Sequence, residues 1–303
     1  SMDFLRSEMA DRMRRAGIQL RAALPVGLVR ALFVRFDLRM HRKIVVIDGE
    51  LAYAGSLNMV DPRYFKRGSG VGQWIDAMVR VRGPAVEGLA ITFLEDWELE
   101  TAEGVEQLRE TGDVRALEEQ GSAAVQVVPS GPVTESHTIQ QVLLMAIYAA
   151  RRELILTSPY FVPDELLLTA LVSAARRGVD VTLIVPARVD SHLVRLATQA
   201  HKIDLLAAGV TIALFEHGLL HTKSITVDGE FSLFGSLNLD PRSLWLNFEI
   251  TLSVYDRPFT RRLRQLQQRY LAQSQRMDLE TWRRRPKVEQ LVVNAARLLA
   301  PLL

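Results

Sequence analysis

Two stretches of the chain carry the residues best suited to chemistry. One runs from His41 to Asn58 and the other from His221 to Asn238, and both fit H-x-K-x4-D-x6-G-S-x-N without a gap. In each, a histidine and a lysine stand two apart, His41 with Lys43 and His221 with Lys223. On a strand, residues i and i+2 share a face. Each pair therefore offers an imidazole beside a fixed cation. Asn58 and Asn238, with Ser56 and Ser236 nearby, add amide and hydroxyl groups. Such a set suits phosphate oxygens, and all four are expected to bind phosphate. A metal site is not expected, because protonated lysine is a poor ligand and neither stretch has a second histidine or carboxylate at ligand spacing.

Two such units make chemical sense face to face. Cleaving a phosphodiester needs a nucleophile on one side and a proton donor for the leaving oxygen on the other. His41 and His221 would fill these roles, and the lysines and asparagines would stabilise charge on the non-bridging oxygens. A nucleophilic imidazole needs its far nitrogen held by a carboxylate. Asp76 and Glu249 each begin the strand after their motif and are the candidates. Asp48 and Asp228 are also counted as catalytic candidates, with closing of the turn as their alternative reading. Arg63 and Arg242 follow Asp-Pro in both repeats and fit either a phosphate contact or a surface ion pair. His137, His192, His201 and His217 read as ordinary polar residues, and Tyr160-Phe161 as core or as a channel wall.

The elements that must position these groups are readable in part. Residues 3–16 suit a helix and 18–24 a short strand. Each motif reads as a hairpin turning at Asp48-Gly49 or Asp228-Gly229. Residues 74–82 read as a further strand and 84–99 as a helix, before a Glu-rich linker ending near Gly121. The second half alternates strands at 124–128, 153–157, 179–185 and 210–215 with helices at 138–152, 163–177 and 191–208, and residues 129–132 read as a turn. That alternation implies an α/β fold with a mixed, mostly parallel sheet flanked by helices, its centre largely parallel and a hairpin inserted. The strand–helix–strand block before His221 has no counterpart before His41, so the first unit reads as starting partway through.

Composition bounds the rest. The 303 residues are 48% apolar and 24% charged, as in ordinary folded proteins. The absence of cysteine excludes disulfides and thiolate chemistry, and permits a cytoplasmic setting. No apolar run approaches the roughly 18 residues of a membrane span, and no signal peptide is read at the start. The net charge of +2 is polarised, with eleven basic and three acidic residues from Arg257 onward. Val288, Leu291, Val292, Ala295, Leu299 and Leu302 fall on one helical face beside Arg283, Arg284, Arg285, Lys287 and Arg297. This tail is expected to lie on an anionic membrane surface, or else to pack on the protein body.

The duplicated motif resembles the phospholipase D superfamily, in which two such motifs form one site. Val128-Pro-Ser-Gly-Pro132, Thr157-Ser-Pro-Tyr-Phe-Val-Pro-Asp164, Asn238-Leu-Asp-Pro-Arg-Ser243 and the ending Trp282-Arg-Arg-Arg-Pro286 … Leu298-Leu-Ala-Pro-Leu-Leu303 are similar to the bacterial cardiolipin synthases. The resemblance implies two halves related by a pseudo-two-fold, with the site between them. They would be residues 1–120 (N-terminally incomplete) and 121–256, followed by basic amphipathic helices over 257–303. It implies transfer of a phosphatidyl group between two phosphatidylglycerol molecules through a phosphohistidine, with His41 as nucleophile and His221 as acid and base. No cofactor and no nucleic acid are expected. The implied partners are phosphatidylglycerol, other anionic phospholipids and the cytoplasmic face of the cytoplasmic membrane. Oligomeric state stays open. Hydrolysis by a phospholipase or nuclease, and a non-catalytic lipid-binding fragment, are the alternative readings.

Overall fold

The structure is a computed structural model and describes residues 2–24, 38–61, 70–101, 104, 106, 114–132, 138–189 and 192–280. The chain opens with helices α1 (Met2–Leu5) and α2 (Glu8–Arg15). They are two pieces because Ser7 leaves helical geometry to cap α2, accepting from Ala10 N. Residues 18–24 form no strand. Next come strands β1 (Arg39–Met40), β2 (Ile44–Ile47), β3 (Leu51–Gly55), β4 (Trp74–Ile75) and β5 (Met78–Arg82), then helix α3 (Ala85–Glu98). The second half supplies β6 (Ala124–Ser130), α4 (Thr138–Ala149), β7 (Glu153–Thr157), α5 (Glu165–Arg176), β8 (Asp180–Pro186), α6 (His192–Ala207) and β9 (Thr211–Phe215). It continues through β10 (Leu219–Leu220), β11 (Ser224–Val227), β12 (Phe231–Gly235), α7 (Pro241–Trp245), β13 (Asn247–Tyr255), α8 (Arg257–Leu271) and β14 (Ser274–Arg276).

Both motifs fold as the hairpins their Asp-Gly pairs demand. Asp48 and Gly49 take φ of 52° and 64°, Asp228 and Gly229 take 53° and 70°. Two consecutive positive φ values define the tight turn whose twist matches the strands it joins. The main sheet runs β1-β13-β12-β11-β7-β8-β9-β14, with β6 also on β13, and a smaller sheet runs β2-β3-β5. Among the described strands, parallel pairing joins β7-β8-β9 and β1 with β13 in the main sheet, and β10 with β4 outside it. The remaining strand pairs are antiparallel, so the main sheet is mixed, as expected, with its parallel run at β7-β8-β9. Antiparallel pairs outnumber parallel ones because the hairpin and the long β13 supply them. β6 carries Pro129 within the strand, opposite Ile250, where a turn was expected; as an edge strand it needs no donor there.

The main sheet is buried on both faces. Leu154 and Leu156 of β7 pack with α4 and α5, while Ile155 faces Tyr270 of α8. Ile250, Leu252 and Val254 of β13 meet Ala52 and Ala54 of β3 and Leu89 of α3, joining the small sheet to the large one. Burying each of those three side chains is worth about 1.5–3 kcal/mol, more than one hydrogen bond across the same junction. The two hairpins differ in one respect. β11 pairs with both β12 and β7, whereas β2 pairs with β3 alone among the described residues. The stretch after Arg257 is not continuous helix, since residues 274–276 return to the sheet edge as β14 against β9. No helix among the described residues is long and apolar enough to cross a membrane. The amphipathic face over 288–302, with Arg63 and His137, lies outside the described residues.

Candidate active site

The two histidines are delivered by two very short parallel pairings. β1 runs beside the start of β13, matching Arg39 to Asn247 and Met40 to Phe248. β10 runs beside β4, matching Leu219 to Trp74 and Leu220 to Ile75. In each ladder one more step puts a histidine opposite a carboxylate: His41 opposite Glu249, and His221 opposite Asp76. The backbone N–H groups continue the ladder, His41 N to Phe248 O at 2.9 Å and His221 N to Ile75 O at 2.9 Å. The His-x-Lys segments then sit between strands and not on one, because the chain leaves one ladder at the histidine and joins its hairpin three residues later.

The side chains follow. His41 Nδ1 lies 2.8 Å from both Glu249 carboxylate oxygens. His221 Nδ1 lies 2.6 Å from Asp76 Oδ1. Each histidine is thus held by the carboxylate of the other repeat. An ionised carboxylate only accepts, so Nδ1 carries the proton and Nε2 keeps its lone pair. Lys43 and Lys223 each donate to the carbonyl of the histidine two residues earlier, at 2.6 and 2.7 Å. Lys223 acts electrostatically on His41, and Lys43 on His221, so the two motifs form one cluster.

The serines stand elsewhere than expected. Ser56 Oγ donates to Asp76 Oδ1 at 2.7 Å and accepts from Ala77 N at 3.0 Å. Ser236 Oγ donates to Glu249 Oε2 at 2.5 Å and accepts from Ile250 N at 3.0 Å. Both are fully buried. A hydroxyl has one proton to give, and here it goes to the carboxylate, which removes Ser56 and Ser236 from the phosphate-binding set. The preceding glycines permit this packing. A Cβ on Gly235 would lie 2.0 Å from Ile250 O, and one on Gly55 2.4 Å from Ala77 O.

Asp48 and Asp228 are not brought to the cluster. The Asp228 carboxylate accepts from the backbone N–H groups of Arg151, Arg152 and Glu153 at 2.7–2.9 Å. It sits beyond the far end of β11, ~16 Å along the chain from Lys223. The Asp48 carbonyl accepts from Arg115 at the matching turn. Turn closure, not proton chemistry, is what these contacts serve. Asn58 is half-buried. Asn238 is buried, its amide meets the Asp240 carboxyl, and its Oδ1 has no partner. Phe161 is core, bridged to Leu239.

Several contributors carry no signal in the motif. Asn247 Nδ2 donates to Glu249 Oε1 at 3.1 Å. The Trp74 ring lies 4.5 Å from that of His221. Both occupy the position two before the carboxylate, a regularity visible only once the two carboxylates are aligned.

Burial sets the protonation pattern. It pushes His221 down to about 4, aided by Lys223 and opposed by Asp76. It lowers His41 as well, with Glu249 opposing. Lys43 is pushed down to about 8 by burial, against Glu249 and Asp76. Burial alone would raise Glu249 and Asp76, but their contacts with His41 and His221, the serines and the lysines hold both below the usual carboxylate range. At neutral pH the site therefore holds two neutral imidazoles and two carboxylates. Among the described residues, no three histidine or acidic side chains are grouped as metal ligands would be.

The two H-x-K segments thus meet across the junction between the sheets. Residues 143–271 match the family described as "Cardiolipin synthase, PLD-like domain". Cardiolipin synthase A of Yersinia pseudotuberculosis and that of Yersinia pestis are each 48% identical over all 303 residues. The chain spans 62% of the length of these relatives. The crystal structure of phosphatidylserine synthase from Haemophilus influenzae superposes with a TM-score of 0.62 at 15% identity, covering 87% of this chain and 71% of that one, which shows the shared fold. Over residues 143–271 the chain is thus similar to the phospholipase D-like domain of cardiolipin synthases.

Proposed function

We propose that this chain is the catalytic part of a phosphatidyltransferase that makes cardiolipin from two phosphatidylglycerol molecules. The observation that carries the reading is the pair of crossed histidine–carboxylate contacts, which leaves two Nε2 atoms free in one site. His41 Nε2 attacks phosphorus, the bond to the leaving glycerol oxygen breaks, and that oxygen takes a proton from His221. A hydroxyl of the second phosphatidylglycerol then gives its proton back to His221 and attacks phosphorus, breaking the P–N bond. Cardiolipin and glycerol leave. The anionic phosphodiester raises His221 as it enters, so that its Nε2 takes from solvent the proton it then gives to the leaving oxygen, while His41 Nε2 keeps its lone pair. Lys43, Lys223, Asn58 and Asn238 stabilise the non-bridging oxygens.

In this reading, residues 1–120 and 121–256 are the two halves of one site, and the basic amphipathic end of the segment 257–303 holds it to an anionic lipid surface at the cytoplasmic face of the membrane. The test is incubation of the chain with phosphatidylglycerol vesicles, with acid-labile phosphate trapped on the protein. Cardiolipin plus glycerol, and loss of the trapped species in His41→Gln, are expected. Phosphatidic acid without cardiolipin would make it a hydrolase, and absence of both product and phosphohistidine would make it a binding fragment.

A further inference from the structure

The residue between His41 and Lys43 does unusual work for its position. Arg42 is buried, its side chain 6% exposed. Its Nε donates to Glu249 O at 3.0 Å and one Nη to Ser130 O at 3.1 Å, while the other Nη meets Asp96 of α3. The guanidinium also lies over the Phe248 ring, 5.4 Å from its centroid. These acceptors sit on three elements. Glu249 and Ser130 are paired neighbours on β13 and β6, and α3 belongs to the first half. One planar fork therefore ties the chain beside His41 to the very residue whose carboxylate holds His41.

The second repeat makes the same connection with different chemistry. Thr222, between His221 and Lys223, donates to Ile75 O at 3.2 Å, and its hydroxyl lies 3.1 Å from Tyr270 Oη. Ile75 directly precedes Asp76. In both repeats the middle residue of H-x-K thus latches onto the backbone that carries the opposing carboxylate. A side chain serving only the core would have no reason to choose that backbone twice.

We propose that Arg42, clamped by Asp96, is a positioning residue that fixes Glu249 against His41 and so sets the basicity of the nucleophile. It acts through Glu249 and does not touch substrate. The catalytic consequence rests on the function proposed above; the positioning itself does not. The pair holds together at neutral pH, since burial, opposed by Arg42, raises Asp96 only to about 6. Arg42 faces Asp96 and Glu95 on α3 and Glu249 on β13, while His41 faces Glu249, Lys43 and Lys223. Lysine cannot substitute, because a point charge does not reach three acceptors in one plane.

The test follows the His41 side-chain nitrogens by NMR through a pH titration of the 303-residue chain, with the signal assigned by its loss in His41→Gln. Arg42→Lys and Arg42→Met loosen Glu249, so the His41 midpoint should fall by about one unit. In parallel, kcat should fall about tenfold or more with KM nearly unchanged. Asp96→Asn, which keeps an acceptor but no charge, should shift both readouts in the same direction by less, and it serves as the test if the arginine variants fail to fold. An unmoved His41 midpoint in any folded variant overturns the proposal, as does activity lost only in proportion to the folded fraction. The titration needs no substrate, so a chain without transferase activity would refute the function and leave this inference standing or falling by itself.

Discussion

The buried, neutral His221 makes a quantitative claim about acid stability. Its pKa is pushed from the ordinary 6.5 to about 4, mainly by burial. Between those values the unfolded chain binds a proton that the folded chain refuses. Stability from this group is therefore intact above pH 6.5 and is lost as pH falls towards 4. Integrated from pH 7 to 4.5, the loss is about 2 kcal/mol. The perturbation is His221→Gln, which keeps an amide near Asp76 but cannot titrate. Asp96 and Asp240, both raised to about 6 by burial, act in the opposite sense in this window, and they are common to both proteins. Asp76 is held below its ordinary 3.8, so its own window lies lower still. The difference between the two proteins therefore reports the histidine together with the rise its loss brings to Asp76, which acts in the same direction on the comparison.

The assay is urea unfolding followed by far-ultraviolet circular dichroism at pH 7 and pH 4.5. Wild type should lose about 2 kcal/mol more than His221→Gln over that interval, whatever their absolute stabilities. Equal losses in the two proteins would refute the claim that His221 is buried uncharged. A larger loss in the variant would mean that the imidazole is protonated in the fold and paired with Asp76 as an ion pair.

Two further outcomes separate scaffold from chemistry. Asp228→Ala removes the acceptor of three backbone N–H groups, so the midpoint of urea unfolding should show a loss of about 1–2 kcal/mol while kcat stays near wild type. Gly235→Ala would put a Cβ 2.0 Å from Ile250 O and push Ser236 off Glu249. A cost of about 1–3 kcal/mol in unfolding free energy and a fall in kcat of about tenfold or more are expected, and an alanine variant with wild-type turnover would show that the serine contact is dispensable.

Much of the scaffold is legible because local chemistry dictates it. An Asp-Gly pair between β-branched runs leaves few alternatives to a tight hairpin, and Asp164 and Asp256 each cap the helix they precede. Asp76 and Glu249 can be named as carboxylates opening a strand after each motif. Which histidine each one meets is not legible. That depends on β1 meeting β13 and β10 meeting β4, pairings of two residues across separations of 208 and 145 positions between histidine and carboxylate. A two-residue strand has no periodicity to read. The serines pose a related difficulty, since a hydroxyl beside a phosphate-binding pattern looks the same whether its proton faces the phosphate or the carboxylate behind it.

The crossing has a consequence for how such a site can exist at all. If each carboxylate oriented the histidine of its own repeat, either half could hold its imidazole ready by itself. Here Glu249 lies near the start of the same strand that carries Ile250, Leu252 and Val254 into the junction with Ala52 and Ala54. Separating the sheets there takes Glu249 away from His41, and the pairing of β10 with β4 ties Asp76 to His221 across the same two halves. Two fully buried alanines on β3 let the sheets approach closely, and a larger side chain at either position would widen the gap along the strand that leads to Glu249. In the proposed mechanism, nucleophile and acid are thus readied together, by the docking of two sheets whose histidines each take their carboxylate from the other side of the junction.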